Sequence, residues 1–240
     1  MKIKRTTLET LAKLAEKATS KDSLRHTLTQ AHLFGMHEGR RELVAYASDG
    51  VKAVRFESLP DAQEGPLAEI LEQRPLLVSR EHAKLIKSVL KASYKLQEEF
   101  DARLEDNKLL VKSGLGIGSE GIEVTCGYLP KQSGEYLEQS AFERLFRIDG
   151  TVAKDTLGNA GLVIRSNTCP TLAFNAELLA DIQDVLLFDQ KTKGITLTLA
   201  QEQTLGKDGS QCSTSRMMVK PLSVDAAKRI GVLCGMRASV

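Results

Sequence analysis

The chain has 240 residues, which is enough for two domains of ordinary size or one large domain. Its 33 basic and 31 acidic residues leave a formal net charge of +2, so any surface for nucleic acid must be local. Aromatic residues make up only 5% and tryptophan is absent, which argues against a base-stacking platform for single strands.

Cysteine spacing and hydropathy limit the class of protein further. The four cysteines lie far apart, with no CxxC pair, so they predict neither a zinc signature nor a secreted disulfide framework. Residues 1–19 carry positive charge without an apolar core segment, and no apolar run reaches the roughly 18 residues of a membrane span. We therefore expect a soluble protein of the cytoplasm.

The first predicted element is an amphipathic helix over residues 7–19. Its apolar side holds Leu8, Leu11, Ala15 and Ala18, with Leu14 at the margin. Lys13 and Lys17 lie on the opposite side, bordered by Glu9 and Glu16.

Strand-like runs follow at 27–34, 42–47, 51–56 and 76–78, with a short turn of helix over 66–71. The pair Asp49-Gly50 stands between two of these runs and predicts a hairpin, because both residue types tolerate positive φ.

A second amphipathic helix is predicted over residues 79–95, where Ser79 can act as N-cap. Five cations lie within about 80° of one another around its axis; they are Arg80, Lys84, Lys87, Lys91 and Lys95. The opposite side carries Leu85, Ile86, Val89 and Ala92. A solvated surface helix would explain this pattern, but the similar helix at 7–19 favours a paired cationic surface.

Further strands are predicted at 100–104, 108–112 and 121–126, so the first half repeats a helix followed by strands and suggests two similar βα-type halves. The second half restarts with a helix over 137–148, short strands at 162–165 and 171–174, and a helix over 176–185 capped by Asn175. Strands at 194–201 and 215–219 follow, and the tail 223–240 is predicted as weakly helical.

The sequence contains no convincing motif for catalysis or for cofactor binding. Residues 116–121 match GxGxxG, but strands are predicted on both sides, which favours a hairpin loop over a dinucleotide site. The four histidines, His26, His32, His37 and His82, have no metal-ligand spacing. We therefore expect no metal, no cofactor and no catalytic residues.

Several segments resemble the bacterial sliding clamp, the β subunit of the replicative DNA polymerase. LRHTL at 24–28, AYASDG at 45–50 and LVSREHA at 77–83 resemble its middle domain. LAFNAELLAD at 172–181 resembles the second helix of its last domain, and MMVKPL at 217–222 its C-terminal strand. The resemblance implies an α+β DNA-clamp fold with two domains, each with two helices packed on antiparallel sheets. They would span 1–133 and 134–240, the second abbreviated, with a tail from about 223.

The resemblance also implies a function: a non-enzymatic processivity factor that encircles duplex DNA and tethers the polymerase. Because such rings close with six domains, it implies a homotrimer of two-domain chains. Phosphate contact without base readout suits a sliding ring. The residues expected to contact DNA are Lys13, Lys17, Arg80, Lys84, Lys87, Lys91 and Lys95.

Polymerase and clamp loader would bind through linear peptides in a pocket carried over from the family. Its residues would be Leu28, Ser48, Gly50, Val51, Lys52, Ala53, Val219, Lys220, Pro221 and Leu222. Two departures put the usual peptide in doubt: Val51-Lys52 replaces a His-Arg pair, and Lys220 replaces an apolar residue.

Two alternatives stay open at the level of sequence. A clamp-like regulator could bind replication proteins without encircling DNA, but it would not need Lys84, Lys87 and Lys91 on one face. An unrelated α+β enzyme would need an acidic or nucleophilic cluster, which the sequence does not show.

Overall fold

The computed structural model describes residues 1–35, 42–62, 67–114, 121–146, 176–191, 194–205, 211–222 and 228–234. The chain divides into two compact units, Met1–Gln139 and Ser140–Val240. The predicted domain boundary after residue 133 stays a prediction.

Unit 1 repeats one pattern twice: a strand, a helix and three strands. The first copy consists of β1 (Lys2–Lys4), α1 (Arg5–Lys17), β2 (Gln30–Gly35), β3 (Glu42–Ser48) and β4 (Lys52–Pro60), with a 3-10 helix at Ser23–Leu28. The second copy consists of β5 (Leu76–Ser79), α3 (Arg80–Ala92), β6 (Glu99–Glu105), β7 (Lys108–Lys112) and β8 (Glu123–Tyr128). The short helix α2 (Leu67–Leu71) lies between them. The predicted repetition is confirmed.

The two copies exchange their first strands. The strand order is β1-β6-β7-β8-β5-β2-β3-β4, and every pairing is antiparallel. Thus β1 of the first copy pairs with β6 of the second, while β5 of the second pairs with β2 of the first. The strand β1 was not predicted, because the alternation of Lys2, Ile3 and Lys4 is too short to identify a strand.

Both long helices bury one side against this sheet. Leu8, Leu11 and Leu14 of α1 are fully buried, and so are Ile86 and Val89 of α3. Two details of the predicted helices were wrong. Leu14 is not marginal but fully buried, in a helix that packs against both the sheet and α3. Leu85 is 41% exposed, because the buried side of α3 is centred on Ala83, Ile86 and Val89 instead.

In unit 2 the described elements are α4 (Gln139–Phe146), α5 (Ala176–Leu186), β9 (Ile195–Leu205), β10 (Gln211–Pro221) and β11 (Arg229–Cys234). The strand order within this unit is β11-β10-β9, all antiparallel. Ile182 and Leu186 of α5 pack on Gly231, where a Cβ would lie 2.4 Å from Ile182. The predicted strands at 162–165 and 171–174 and the cap Asn175 lie outside the described residues.

The prediction of a weakly helical tail was wrong for its described part. Residues 229–234 form β11, in which Ile230, Val232 and Leu233 are buried and Val232 pairs with Met218 of β10. Arg229, at the start of this strand, forms a bidentate ion pair with Asp189, which lies just after α5. Burial works to raise the pKa of Asp189, but the hydrogen bonds from Arg229 and Gln190 outweigh it and lower that pKa.

Within the described ranges, no helix is long and apolar enough to cross a membrane.

Candidate nucleic-acid and peptide interfaces

The helices α1 and α3 lie side by side and run antiparallel, and an arginine at the start of each one holds the end of the other. Arg5, the first residue of α1, donates from Nη2 to Ser93 Oγ and to the carbonyl oxygen of Tyr94, both at 2.6 Å. Arg80, the first residue of α3, donates from Nη2 to the carbonyl oxygen of Thr19 at 2.7 Å. These bonds fix the spacing of the predicted cationic surface.

The start of α3 is capped as predicted. Ser79 Oγ accepts from the backbone N–H of His82 at 3.3 Å, and His82 Nδ1 accepts from the backbone N–H of Ser79 at 3.2 Å. This reciprocal pair satisfies two donors that a helix start would leave open. Partial burial lowers the pKa of His82, although the nearby Glu81 carboxylate works in the opposite direction.

The predicted cations do not all occupy equivalent positions. Lys84 and Lys91 are exposed on α3, and Lys13 is half-buried on α1. Lys87 forms an ion pair with Glu16 of α1, which neutralises it across the helix pair. Arg80 is half-buried and bonded to Thr19, and Lys95 lies beyond the end of α3 at Ala92.

The accessible charge is therefore smaller than the sequence suggests. In the described part of the chain, Lys13, Lys84, Lys91 and Lys95 have no acidic partner. Lys17 is half-buried on the same helix as Lys13. We call Lys13, Lys84 and Lys91 the cationic surface of unit 1.

The Asp-Gly hairpin is confirmed between β3 and β4. Gly50 has φ of 92°, a conformation that favours glycine. The side chain of Asp49 fixes the turn, because its Oδ1 accepts from the backbone N–H groups of Val51 at 2.9 Å and Lys52 at 2.8 Å. Ser48 Oγ adds a bond to the carbonyl oxygen of Lys52 at 2.9 Å.

Only part of the predicted peptide site in unit 1 is accessible. Gly50 and Val51 are exposed, and Leu28 is half-buried beside them, since a Cβ on Gly50 would lie 3.5 Å from Leu28 Cδ1. The remaining three residues, Ser48, Lys52 and Ala53, are buried. The 4%-exposed side chain of Lys52 lies 3.7 Å from Asp49 and so supports the turn from within.

Arg25 was not among the predicted site residues, yet it borders this turn. Its Nη1 lies 3.3 Å from the carbonyl oxygen of Asp49. A Cβ on Gly50 would lie 3.0 Å from the same Arg25 Nη1 atom. Arg25 Nε also lies 3.7 Å from Asp22, the cap of the 3-10 helix. The LRHTL segment contained Arg25, but its contact with a turn some 24 residues away is a tertiary feature.

In unit 2 the predicted peptide residues lie at the end of β10. Val219 and Pro221 are buried, whereas Lys220 is exposed and Leu222 is 58% exposed. The backbone N–H of Leu222 donates to the carbonyl oxygen of Gly194 at 3.0 Å, which anchors the strand end. Lys220 and Leu222 are therefore the accessible members of this group.

Histidines and acids do not gather into a metal site in the described ranges, where no group of three or more potential ligands occurs. His32 is buried in β2, with Nδ1 3.1 Å from the carbonyl oxygen of Gln30 and Nε2 accepting from the backbone N–H of Leu137 at 3.2 Å. Burial lowers the pKa of His32 to about 4, so it is neutral at pH 7. Residues 116–120 of the GxGxxG segment, and His37, lie outside the described residues.

Solved structures decide the fold. The sliding clamp (DNA polymerase III subunit beta) of Bartonella birtlesii, bound to griselimycin, is 10% identical with a TM-score of 0.53, over 99% of this chain and 66% of that one. The Caulobacter crescentus β sliding clamp is 13% identical with a TM-score of 0.53, over 99% and 65%. The DNA polymerase III β subunit of Thermotoga maritima is 11% identical with a TM-score of 0.50, over 100% and 65%.

This chain has the sliding-clamp fold. The resemblance in the sequence is thus confirmed at the level of the fold, and so is the α+β class with helices on antiparallel sheets. The chain spans slightly less than two thirds of the length of these solved clamps. No protein-family model matches the sequence, and no curated protein matches it.

Proposed function

We propose that this chain is a DNA polymerase processivity factor, a non-enzymatic sliding clamp that encircles duplex DNA in the cytoplasm and tethers the polymerase. The observation that carries the proposal is the cationic surface of unit 1, held on the antiparallel pair α1 and α3 of a clamp fold. Lys84 and Lys91 are about two turns apart on the exposed side of α3, and Lys13 lies on the adjoining helix.

Lysine side chains suit a surface that must hold DNA and still move along it. An ammonium group is a compact point charge on a flexible stem, and it attracts phosphates without reading the edges of bases. Each phosphate that it neutralises releases counterions, which makes the contact salt-dependent and independent of sequence.

The peptide site remains part of the proposal. We expect Leu28, Gly50 and Val51 in unit 1 and Lys220 and Leu222 in unit 2 to contact linear peptides of the polymerase and clamp loader. An apolar side chain beside a rigid turn can hold the anchor residue of a peptide. The accessible ammonium group of Lys220 favours peptides that carry a carboxylate nearby.

Open strand edges support the proposed assembly into a ring. In unit 1, β8 pairs with β5 only between Tyr128 and Leu77, so its outer edge before Tyr128 is open in the described residues. In unit 2, β9 pairs only with β10 and forms the end of the described sheet. Open edges favour pairing with another chain, and we propose that β8 and β9 close a head-to-tail homotrimer.

Two measurements test this function. Light scattering should give a mass of about three 26.3-kDa chains. The protein should be retained on nicked circular DNA during gel filtration and released when the circle is cut. The double variant Lys84→Glu, Lys91→Glu should lose this retention, because it reverses the charge facing the phosphates.

The control is Lys108→Glu with Lys112→Glu, which makes the same charge change on the exposed strand β7 of the same unit. It should be retained like the wild type. Equal retention of the first variant and the wild type would contradict the proposed DNA surface.

A clamp-like regulator that binds replication proteins without encircling DNA is the second candidate. It is favoured by the exposed acidic residues Glu177 and Asp184 of α5, which add no positive charge toward DNA. A monomer at micromolar concentration, with and without DNA, would decide for the regulator.

A further inference from the structure

The connection between α3 and β6, residues 93–98, presents two large apolar side chains to solvent. Tyr94 is 68% exposed and Leu96 is 93% exposed. Among the described residues no other Phe or Tyr side chain is as exposed as Tyr94. Side chains of this size on one short connection indicate a contact surface.

This connection is held rigidly, although its side chains are exposed. Besides its bonds to Ser93 and Tyr94, Arg5 donates from Nε to the carbonyl oxygen of Gln97 at 2.8 Å. The backbone N–H of Gln97 donates to the carbonyl oxygen of Tyr94 at 3.0 Å and closes a tight turn around Leu96. The guanidinium of Arg5 also lies over the Phe100 ring, 5.5 Å from its centroid.

The bonds that hold the turn use backbone atoms of Tyr94 and Gln97 and the hydroxyl of Ser93. The side chains of Tyr94 and Leu96 take no part in them. Because the backbone of the turn is already ordered, the protein loses little backbone conformational entropy when a ligand binds these side chains.

The turn lies at the opposite end of the helix pair from the predicted peptide residues of unit 1. The turn lies beside the start of α1, because Arg5 bonds to it. Leu28 lies near the end of α1, because its carbonyl oxygen accepts from the backbone N–H of Ser20. A ligand at Tyr94 and Leu96 therefore does not compete with a peptide at Leu28.

Two exposed lysines stand next to the two apolar side chains. Lys91, in the last turn of α3, and Lys95, between Tyr94 and Leu96, are both exposed, and Glu98 is the nearest exposed acid in sequence. A ligand that suits this surface offers flat apolar faces joined by anionic links. Unpaired nucleotides have this composition, because each base has a π-face and each link carries a phosphate.

We propose that Tyr94, Lys95 and Leu96 bind single-stranded DNA where it adjoins the duplex held by the cationic surface. A base stacks on the Tyr94 ring, Leu96 covers a second apolar face, and Lys91 and Lys95 neutralise phosphates. One exposed ring is a single contact and not a platform, so the binding is weak and independent of sequence. The inference rests on the proposed function, since it assumes duplex DNA along α1 and α3.

Fluorescence anisotropy at low salt tests this proposal with two probes, a short blunt duplex and the same duplex with an oligo(dT) tail. The wild type should bind the tailed duplex about fivefold more tightly or better, as one stacked base provides. The double variant Tyr94→Ala, Leu96→Ala should bind the tailed duplex no more tightly than the blunt duplex. Tyr94→Phe should retain the preference, because the ring remains.

Two further variants separate the outcomes. Leu24→Ala removes an equally exposed leucine, 88% accessible, from the 3-10 helix at the other end of the helix pair, and should leave the preference unchanged. Lys84→Glu with Lys91→Glu should weaken binding of both probes. If the wild type does not bind the blunt duplex, the proposed function fails.

If the wild type binds the blunt duplex but the tail adds nothing, the inference is overturned. It is also overturned if the tail helps the Tyr94→Ala, Leu96→Ala variant as much as the wild type. If the turn binds a protein partner instead of DNA, the tail should help the variant and the wild type equally.

Discussion

Arg80 donates a hydrogen bond from Nη2 to the carbonyl oxygen of Thr19 at 2.7 Å, and its Nε lies 3.3 Å from the Thr19 hydroxyl. Thr19 follows the end of α1, so a side chain that the sequence assigns to the DNA surface holds one helix to the other. Arg80 can both hold the helices together and contact DNA only if its guanidinium still reaches a phosphate while it is bonded to Thr19.

Substitution of Arg80 by alanine should therefore lower stability more than it changes DNA binding. Loss of the charged donor leaves the carbonyl oxygen of the buried residue Thr19 without this partner, which costs about 1–2 kcal/mol of unfolding free energy. Urea denaturation followed by circular dichroism measures the change. Lys84→Ala, on the exposed side of the same helix, should stay within about 0.5 kcal/mol of the wild type; equal losses for both variants would show that the Thr19 bond adds no stability.

The ion pair between Glu16 and Lys87 predicts a variant that binds DNA more tightly. Glu16→Gln removes the carboxylate and leaves the Lys87 ammonium free to meet a phosphate. The plot of log affinity against log salt should steepen by about 0.9 for one added phosphate contact. Anisotropy titrations of a blunt duplex over a range of NaCl concentrations give this slope.

The control for that titration is Glu105→Gln, which removes an exposed carboxylate that pairs with Arg103 on β6. It has the same change in net charge but lies on the sheet. An identical gain in both variants would mean that net charge, and not the freed Lys87, sets the affinity.

Stability should fall in mild acid because of His32. Its pKa is about 4 in the folded chain and near its usual 6.5 in the unfolded chain, so the unfolded state binds the extra proton between these values. The folded state is therefore fully favoured above pH 6.5 and loses up to about 3 kcal/mol as the pH falls from 6.5 to 4. His82, whose pKa burial also lowers, adds to the loss in the same direction.

The variant His32→Gln isolates the contribution of this histidine, since glutamine does not titrate. Denaturation at several pH values should show a shallower decline than in the wild type. A resonance assigned to His32 by its absence from the His32→Gln spectrum, and titrating near 6.5 in the folded wild type, would contradict the buried, neutral His32.

Peptide binding should depend on the accessible side chains at the end of β10. Leu222→Ala should weaken binding of peptides that bind bacterial sliding clamps, because it removes an apolar side chain that is 58% exposed. Lys220→Met should tighten it by restoring an apolar residue. Calorimetry with the same peptide measures both changes.

Pro221→Ala is less informative alone, since Pro221 is buried and its change also perturbs the strand. Peptides that crosslink to surfaces remote from Leu222 and from the turn at Gly50 would contradict the site carried over from the family.

Periodicity and turn chemistry predicted most of unit 1. The stripe of cations on α3, the cap at Ser79 and the Asp-Gly hairpin depend on residues within a few positions of one another. The roles of Arg80 and Lys87 do not, because their partners Thr19 and Glu16 lie 61 and 71 residues away in the chain. Pairing at such distances is fixed by packing, which local patterns do not encode.

The errors in unit 2 have a similar origin. Arg229–Cys234 contains an apolar run that suits a strand, but without a known partner strand the small residues around it suggested a weak helix. Pairing with β10, the packing of α5 on Gly231 and the ion pair of Arg229 with Asp189 hold it as a strand.

The exchanged strands of unit 1 have a consequence for how the protein unfolds. In the described residues β1 pairs with the second copy, and β5 pairs with the first copy over four residues but with its own copy at one. Each helix end is also held by an arginine of the other copy, so neither copy is a complete folding unit. Unit 1 should melt in one cooperative transition, with no state in which half of it survives. In the proposed ring, a gap that admits DNA should therefore open outside unit 1, because breaking unit 1 internally would unfold it.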